Sequence, residues 1–133
     1  MKITKFTTVQ HIFNVFNTTF PYLKLEFYTH SHADGEGSRK EDQLSHNTLI
    51  STLNPSLHDT IVEFDEEMTV ADLEKLMKEK YKLNIQVFRK SSDLWLQTTA
   101  TDHWTLGKQN GKGQRSTVDY EIEPIDITDF DAD

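Results

Sequence analysis

No cysteine occurs among the 133 residues, which excludes disulfides, zinc ribbons, thiolate clusters and cysteine nucleophiles. No apolar run approaches the roughly 18 residues of a membrane span, and Met1 to Gln10 contain no apolar core of a secretion signal. The expectation is a soluble cytoplasmic protein away from membranes. Basic charge is missing from one end: between Ser116 and Asp133 there is no lysine or arginine. That stretch holds seven acids (Asp119, Glu121, Glu123, Asp126, Asp129, Asp131 and Asp133), so it carries −7 of the net −8 and leaves −1 for the rest. The remaining lysines and arginines are scattered, which gives no duplex-sized basic face and argues against nucleic-acid binding. Residues 126–133 read as an acidic, solubilising C-terminal tail, with docking to a basic partner as the functional alternative.

What is present is enough apolar mass for one core. Leucine, isoleucine, valine and phenylalanine sum to 34 residues, about a quarter of the chain, above the level at which charged sequences stay unfolded. Val9, Ile12, Phe13, Phe16 and Phe20 fall on one face of a helix, with Thr7 and Gln10 at capping-box positions and Pro21 closing it. Leu23, Leu25 and Phe27 alternate with Lys24 and Glu26, as a half-buried strand does. A polar loop from Thr29 to Asp42 comes next, then an apolar segment from Leu44 to Leu53 for which helix is favoured, ended by Asn54-Pro55. Ile61 to Phe64 reads as a strand. Val70, Leu73, Leu76, Met77 and Tyr81 predict a second helix capped by Thr69 and Asp72. Leu83, Ile85 and Val87, a turn at Ser91-Ser92-Asp93, and Leu94 to Thr99 predict a β-hairpin. A short helix near Asp102 or His103, a glycine-interrupted basic loop from Lys108 to Arg115, and a strand over Val118, Tyr120 and Ile122 complete the pattern.

The two helix-then-strand units echo one another. An offset of 61 carries Thr8, Val9, Ile12, Phe16 and Phe20 onto Thr69, Val70, Leu73, Met77 and Tyr81. An offset of 60 carries Leu23, Leu25, Phe27 and Tyr28 onto Leu83, Ile85, Val87 and Phe88. His46-Asn47-Thr48-Leu49 then echoes His103-Trp104-Thr105-Leu106 at 57. Any two amphipathic units align to some degree, because each must bury one face. The expectation is nevertheless a single α+β domain over 1–125 built from two βα-type half-repeats, 1–60 and 61–125. Its architecture is two-layer, a mixed or antiparallel sheet with helices on one face.

Candidate chemistry is sparse. His30, His32 and Asp34 lie in Thr29-His30-Ser31-His32-Ala33-Asp34-Gly35-Glu36-Gly37, directly after a strand. This resembles the His-x-His-x-Asp-His loop of the metallo-β-lactamase superfamily. The resemblance implies a metal-dependent hydrolase in which alternate imidazoles converge on zinc, with Glu36 in support. Gly35 stands where that family has its third histidine, the family fold is longer than this chain, and later ligands are not evident at His46, His58 or His103. Plain polar loop is the simpler reading, with no cofactor expected.

His46 and His103 read as structural residues near helix starts. Lys112 and Arg115, among the glycines of the basic loop, are candidate anion ligands for a small-anion-binding regulatory domain, with a solvated turn as the simpler reading. Trp95 and Trp104 are candidates for a partner-binding surface. If Leu94, Leu96 and Thr98 face inward, Trp95 points out or under a neighbouring element.

Met68-Thr69-Val70-Ala71-Asp72-Leu73-Glu74, Val87-Phe88-Arg89-Lys90, Trp95-Leu96-Gln97-Thr98-Thr99 and Trp104-Thr105-Leu106 together resemble a small family of uncharacterised bacterial proteins of this length. That resemblance spans most of the chain, implies a domain of unknown function, and brings no catalytic residue. The leading expectation from the residues is a non-catalytic module that binds another protein; oligomeric state is not encoded in any of these features.

Overall fold

The computed structural model describes residues 1–32 and 36–117. The chain runs β1 (Lys2–Ile3), α1 (Val9–Thr19), β2 (Leu23–Tyr28), α2 (Ile50–Leu53), β3 (Thr60–Ile61), α3 (Val70–Tyr81), β4 (Asn84–Ser91), β5 (Leu94–Gln97) and α4 (Leu106–Thr117). A 3-10 turn at Lys40–Asp42 punctuates the long loop. β1 pairs antiparallel with β3, and a second antiparallel sheet has the order β2-β4-β5. Leu23, Leu25 and Phe27 of β2 and Ile85 and Val87 of β4 are buried on one face, where Val9, Ile12 and Phe16 of α1 and Val70, Leu73 and Met77 of α3 complete the core. The result is a two-layer α+β fold with helices on one sheet face. Each fully buried aliphatic or aromatic side chain contributes about 1.5–3 kcal/mol.

Both long amphipathic helices form where their periodicity predicts. Thr69 caps α3, its Oγ1 accepting the Asp72 N–H at 3.0 Å. The cap of α1 is Thr8, whose Oγ1 accepts the His11 N–H at 3.1 Å. The expected cap, Thr7, instead accepts the Thr4 N–H at 2.9 Å. Lys82 ends α3 in the left-handed region (φ 59°), which returns its N–H to Lys78 O. The hairpin turn places Ser92 at φ 58°.

Three expectations change. The segment from Leu44 to Leu53 keeps only one helical turn, α2, because its earlier backbone serves other elements. Leu44 N–H donates to Phe27 O (2.8 Å), while His46 O and Thr48 O accept from Gln10 and Val9 (both 2.9 Å). The strand expected over Ile61 to Phe64 shrinks to Thr60–Ile61. The basic loop from Lys108 to Arg115 is helix, part of α4. Its glycines are sites of close approach: a Cβ on Gly113 would lie 2.8 Å from Tyr22 Cβ and one on Gly107 3.2 Å from Glu66 O. Gln109, fully buried, fastens α4 by donating to Thr101 O (2.7 Å) and accepting from Arg89 Nη1 (2.8 Å). The strand expected over Val118 to Ile122, the acidic tail and Asp34 lie outside the described residues.

The echo between halves reappears as hydrogen bonding. Val9 and Ile50 bond Thr48 O and Thr7 O; Val70 and Leu106 bond Trp104 O and Met68 O. Gln10 N–H to His46 O has its counterpart in Ala71 N–H to Asp102 O. The second segment therefore corresponds at an offset of 56 and not 57: His46 matches Asp102, and Thr48 matches Trp104. The bridge Tyr28↔Gln43 corresponds to the pair Phe88↔Gln97. The loop from Thr29 to Asp42 is thus the long turn of a hairpin whose return strand is reduced to one bridge. In the β2–β4 ladder, Leu25↔Val87 and Phe27↔Ile85 exchange under a shift of 60, and Glu26↔Gln86 is the pair that maps onto itself.

Candidate functional site

Glu26 and Gln86 sit at the centre of that exchange, both buried and both on the sheet face away from the helices. A carboxylate there requires partners. Glu26 Oε1 meets His46 Nε2 at 2.7 Å, and Oε2 lies 3.4 Å from Lys24 Nζ. His46 Nδ1 faces Gln10 Oε1 at 2.9 Å, and its ring packs on Phe13 with centroids 4.7 Å apart. Gln86 Oε1 accepts from Ser38 Oγ (3.1 Å), and Gln97 exchanges hydrogen bonds with the Ser38 backbone (2.8 and 2.9 Å). The polar loop is therefore strapped over this face. Tyr28 ends the row; burial first, and then the Glu26 carboxylate, push its phenol well above the usual tyrosine value.

Among the described residues no hydroxyl is hydrogen-bonded to His46. His46 spends both ring nitrogens on acceptors, an amide and a carboxylate, where a Ser-His-Asp set needs a hydroxyl on one side. His30 places Thr29 Oγ1 (2.9 Å) and Asp42 Oδ1 (3.6 Å) on the same nitrogen, Nδ1, so no relay runs through the ring. His32 Nε2 lies 3.6 Å from Glu74 Oε2 on α3, and both imidazoles line one cavity with Glu36 and Asp42. The two imidazoles nevertheless belong to separate carboxylate pairs. Among the described residues no group of three or more His, Asp or Glu side chains is placed to hold a metal ion.

Lys112 and Arg115 lie on α4, not on a glycine loop. Their helical setting leaves no converging backbone amides there to cradle an anion, since mid-helix N–H groups bond within the helix. Trp104 is buried, its ring lying 4.4 Å from Lys108 Nζ and 5.5 Å from the Arg89 guanidinium. Burial also lowers the Arg89 pKa from its ordinary value.

Trp95 lies on β5, the edge of the sheet. The leucines beside it do not point into the core: Leu94 is 62% and Leu96 42% exposed, while Trp95 is half-buried. The registration explains this. Trp95 pairs with Lys90 and shares its face with Lys24 and Phe88, whereas Leu96 pairs with Arg89 on the helix side, beyond the edge of the helical layer. Lys90 Nζ is 5.0 Å and Lys24 Nζ 5.4 Å from the Trp95 ring centre, and Lys24 is also 4.8 Å from that of Phe88. This is an aromatic shelf carrying two ammonium groups beside an apolar rim. Thr98 N–H donates to Val87 O (3.2 Å), so alternation turns the N–H groups of Trp95 and Gln97 away from β4, toward an edge that pairs with no strand among the described residues.

Trp95 was visible in the sequence as a candidate, and Leu94, Leu96 and Thr98 share the helix-side face opposite it, but the two leucines are exposed there. Glu26, Gln86 and Gln109 were missed, because a polar residue inside an alternating strand or a glycine-rich segment carries no signal of burial; His46 was singled out as a structural residue, but not as a partner of Glu26. No helix among the described residues is long and apolar enough to cross a membrane. Compared with protein-family models, curated proteins and solved structures, the chain gives no significant match to any of them.

Proposed function

We propose that residues 1–125 form one cytoplasmic domain of two half-repeats that catalyses nothing and docks an extended acidic segment of a partner protein along β5. The observation that carries this reading is the edge of β5, which pairs with no strand among the described residues, with Leu94 and Leu96 exposed on one side and Trp95 flanked by Lys24 and Lys90 on the other. An unpaired edge supplies backbone donors and acceptors for strand addition, and alternate side-chain positions supply selectivity. A partner strand that alternates apolar and acidic residues meets the leucine rim with one face and the ammonium groups with the other. That His46 meets an amide and a carboxylate and no hydroxyl, and that His30 and His32 meet different carboxylates, supports a binding role over a hydrolytic one.

The test is fluorescence anisotropy with labelled peptides that alternate valine or isoleucine with either glutamate or lysine. It is measured on the chain carrying Val118→Asp, Tyr120→Asp and Ile122→Asp, so that its own alternating segment does not compete. The glutamate peptide is expected to bind more tightly by about two- to thirtyfold, two rim ion pairs at roughly 0.2–1 kcal/mol each. Lys24→Glu with Lys90→Glu is expected to abolish that preference. Equal binding of both peptides, or binding of neither, overturns the reading.

A further inference from the structure

Arg89, on the helix side of β4, is held in place without being neutralised. A Cβ on Gly113 would lie 3.3 Å from Arg89 Cγ, so α4 runs across the arginine stem. Arg89 Nη1 donates to Gln109 Oε1 at 2.8 Å, and Gln109 is itself fixed by donating to Thr101 O (2.7 Å) and Thr101 Oγ1 (2.9 Å). The acceptor that orients the guanidinium is therefore a neutral amide. Among the described residues no carboxylate stands within ion-pairing distance of Arg89. Burying a cation without a counter-charge is costly. A guanidinium that spends one N–H on an amide keeps the rest of its fork for an acceptor from outside.

Trp104 brings two further donors to this point. Its ring lies 5.5 Å from the guanidinium and 4.4 Å from Lys108 Nζ. Lys108 is exposed, so its ammonium can swing on a flexible stem toward an anion held by Arg89. Trp104 is only 6% exposed, and its indole N–H is buried with no acceptor among the described residues. Two cations and an orphan N–H thus meet around one ring, a set whose complement is an acceptor-rich anion. The fold does not require this arrangement. Under the offsets that relate the halves, Arg89, Trp104, Lys108 and Gln109 correspond to Thr29, Thr48, Thr52 and Leu53. The first half builds the same corner with no cation and no buried amide.

We propose that Arg89 and Lys108, set about the buried Trp104, bind the phosphoryl group of a small molecule, either inorganic phosphate or a phosphomonoester. The planar fork of the guanidinium takes two phosphate oxygens, and the Lys108 ammonium supplies the second charge that a dianion calls for. The site lies on the helix side of the sheet, away from the face where Lys24 and Lys90 flank Trp95, so it goes beyond the docking reading and does not depend on it.

Nitrogen–proton correlation spectra of the full-length chain read the Arg89 Nε–H and the Trp104 indole N–H directly. Inorganic phosphate, compared with sodium chloride of matched ionic strength, should shift both signals along a saturating curve with a dissociation constant on the order of 1 mM, and leave the Trp95 indole signal in place. Arg89→Lys, which keeps the charge and loses the fork, should weaken binding by about threefold or more. Lys108→Glu, at an exposed position, should weaken it by about tenfold or more. Unchanged amide signals of Leu25 and Val87 show that either variant is folded. Methyl phosphate separates the two sources: tighter binding than inorganic phosphate assigns the site to an esterified ligand, and equal or weaker binding assigns it to the free ion. Shifts that stay linear in phosphate, or that chloride reproduces, overturn the proposal. So does full affinity in folded Lys108→Glu, and so does acetate binding as tightly as phosphate, which would make this a site for carboxylates.

Discussion

The two halves share their scaffold and differ in what hangs from it. In both, a threonine caps a helix whose first two free N–H groups reach a returning segment, Thr48 and His46 in one half and Trp104 and Asp102 in the other. In both, the helix leads into a strand of the same sheet, and the two strands pair about Glu26 and Gln86. The hairpin turn separates them: in the second half it is tight, with Ser92 in the left-handed region, while in the first it is the whole polar loop that carries His30 and His32. The closing helix separates them again, since α2 is a single turn where α4 continues to Thr117. Shared positions are those that bury apolar surface or satisfy backbone; divergent ones face solvent or hold the edges, where candidate sites lie.

If the halves form one core, damage to either should be felt by the whole. Phe16 in α1 and Met77 in α3 are corresponding, fully buried residues. Phe16→Ala is expected to cost about 3–5 kcal/mol and Met77→Ala about 2–5 kcal/mol. Urea unfolding followed by both far-ultraviolet circular dichroism and tryptophan fluorescence should show one coincident transition, displaced in each variant. Two separated transitions in either variant would mean that the halves are independently stable, and the comparison would become one between two domains.

A smaller effect tests why α4 outgrew α2. Gly113 abuts Tyr22 so closely that Gly113→Ala must push backbone or ring aside, at a cost of about 1–3 kcal/mol. Among the described residues, the only near neighbour of an added Cβ at Gly111 is the Arg115 guanidinium at 3.4 Å, the far end of a flexible side chain. Gly111→Ala should therefore gain up to about 1 kcal/mol from helix propensity. Opposite shifts in melting temperature are expected; a stabilised Gly113→Ala would remove the close approach as the reason for glycine in this helix.

The same pair of glycines explains which parts of the fold were legible. α1, α3, β2 and the β4–β5 hairpin carry strong periodicity over their whole length, so local pattern and tertiary burial agree. α4 does not: Gly107, Gly111 and Gly113 with Lys108, Lys112 and Arg115 read as a loop, and only packing against Tyr22 and Glu66, with Gln109 fastened to Arg89 and Thr101, makes helix the better solution. The exposure of Leu94 and Leu96 was illegible for a related reason. At a sheet edge the leucines are not obliged to be inside, and cross-strand pairing with Lys90 decides where Trp95 goes. Trp95 itself was visible as a candidate. The network around Glu26 was not, since its partners Gln10, Lys24 and His46 come from three separate segments.

The finest contrast between the halves is a single hydroxyl. Tyr28 and Phe88 occupy corresponding positions, and Tyr28 is buried beside the Glu26 carboxylate, whereas Phe88 faces a residue row whose central member is the neutral Gln86. Because burial and Glu26 raise the Tyr28 pKa in the folded protein, its stabilising contribution is fully present below about pH 10, the ordinary tyrosine value. Above that, the unfolded phenol gives up its proton and the folded one does not, so stability falls as pH rises. One such group has a limiting slope of about 1.4 kcal/mol per pH unit. Tyr28→Phe makes the first half resemble the second at this position. Among the described residues the hydroxyl reaches only Gln43 Oε1, at 3.4 Å, so its loss should alter stability at neutral pH by less than about 1 kcal/mol. What changes is the slope: urea midpoints measured from pH 8 to 11 should decline less steeply in Tyr28→Phe than in the wild type once pH 10 is passed. Parallel profiles would mean that the Tyr28 phenol ionises in the folded state as readily as in the unfolded chain, and that the carboxylate at the centre of the sheet does not reach the hydroxyl two residues along its strand.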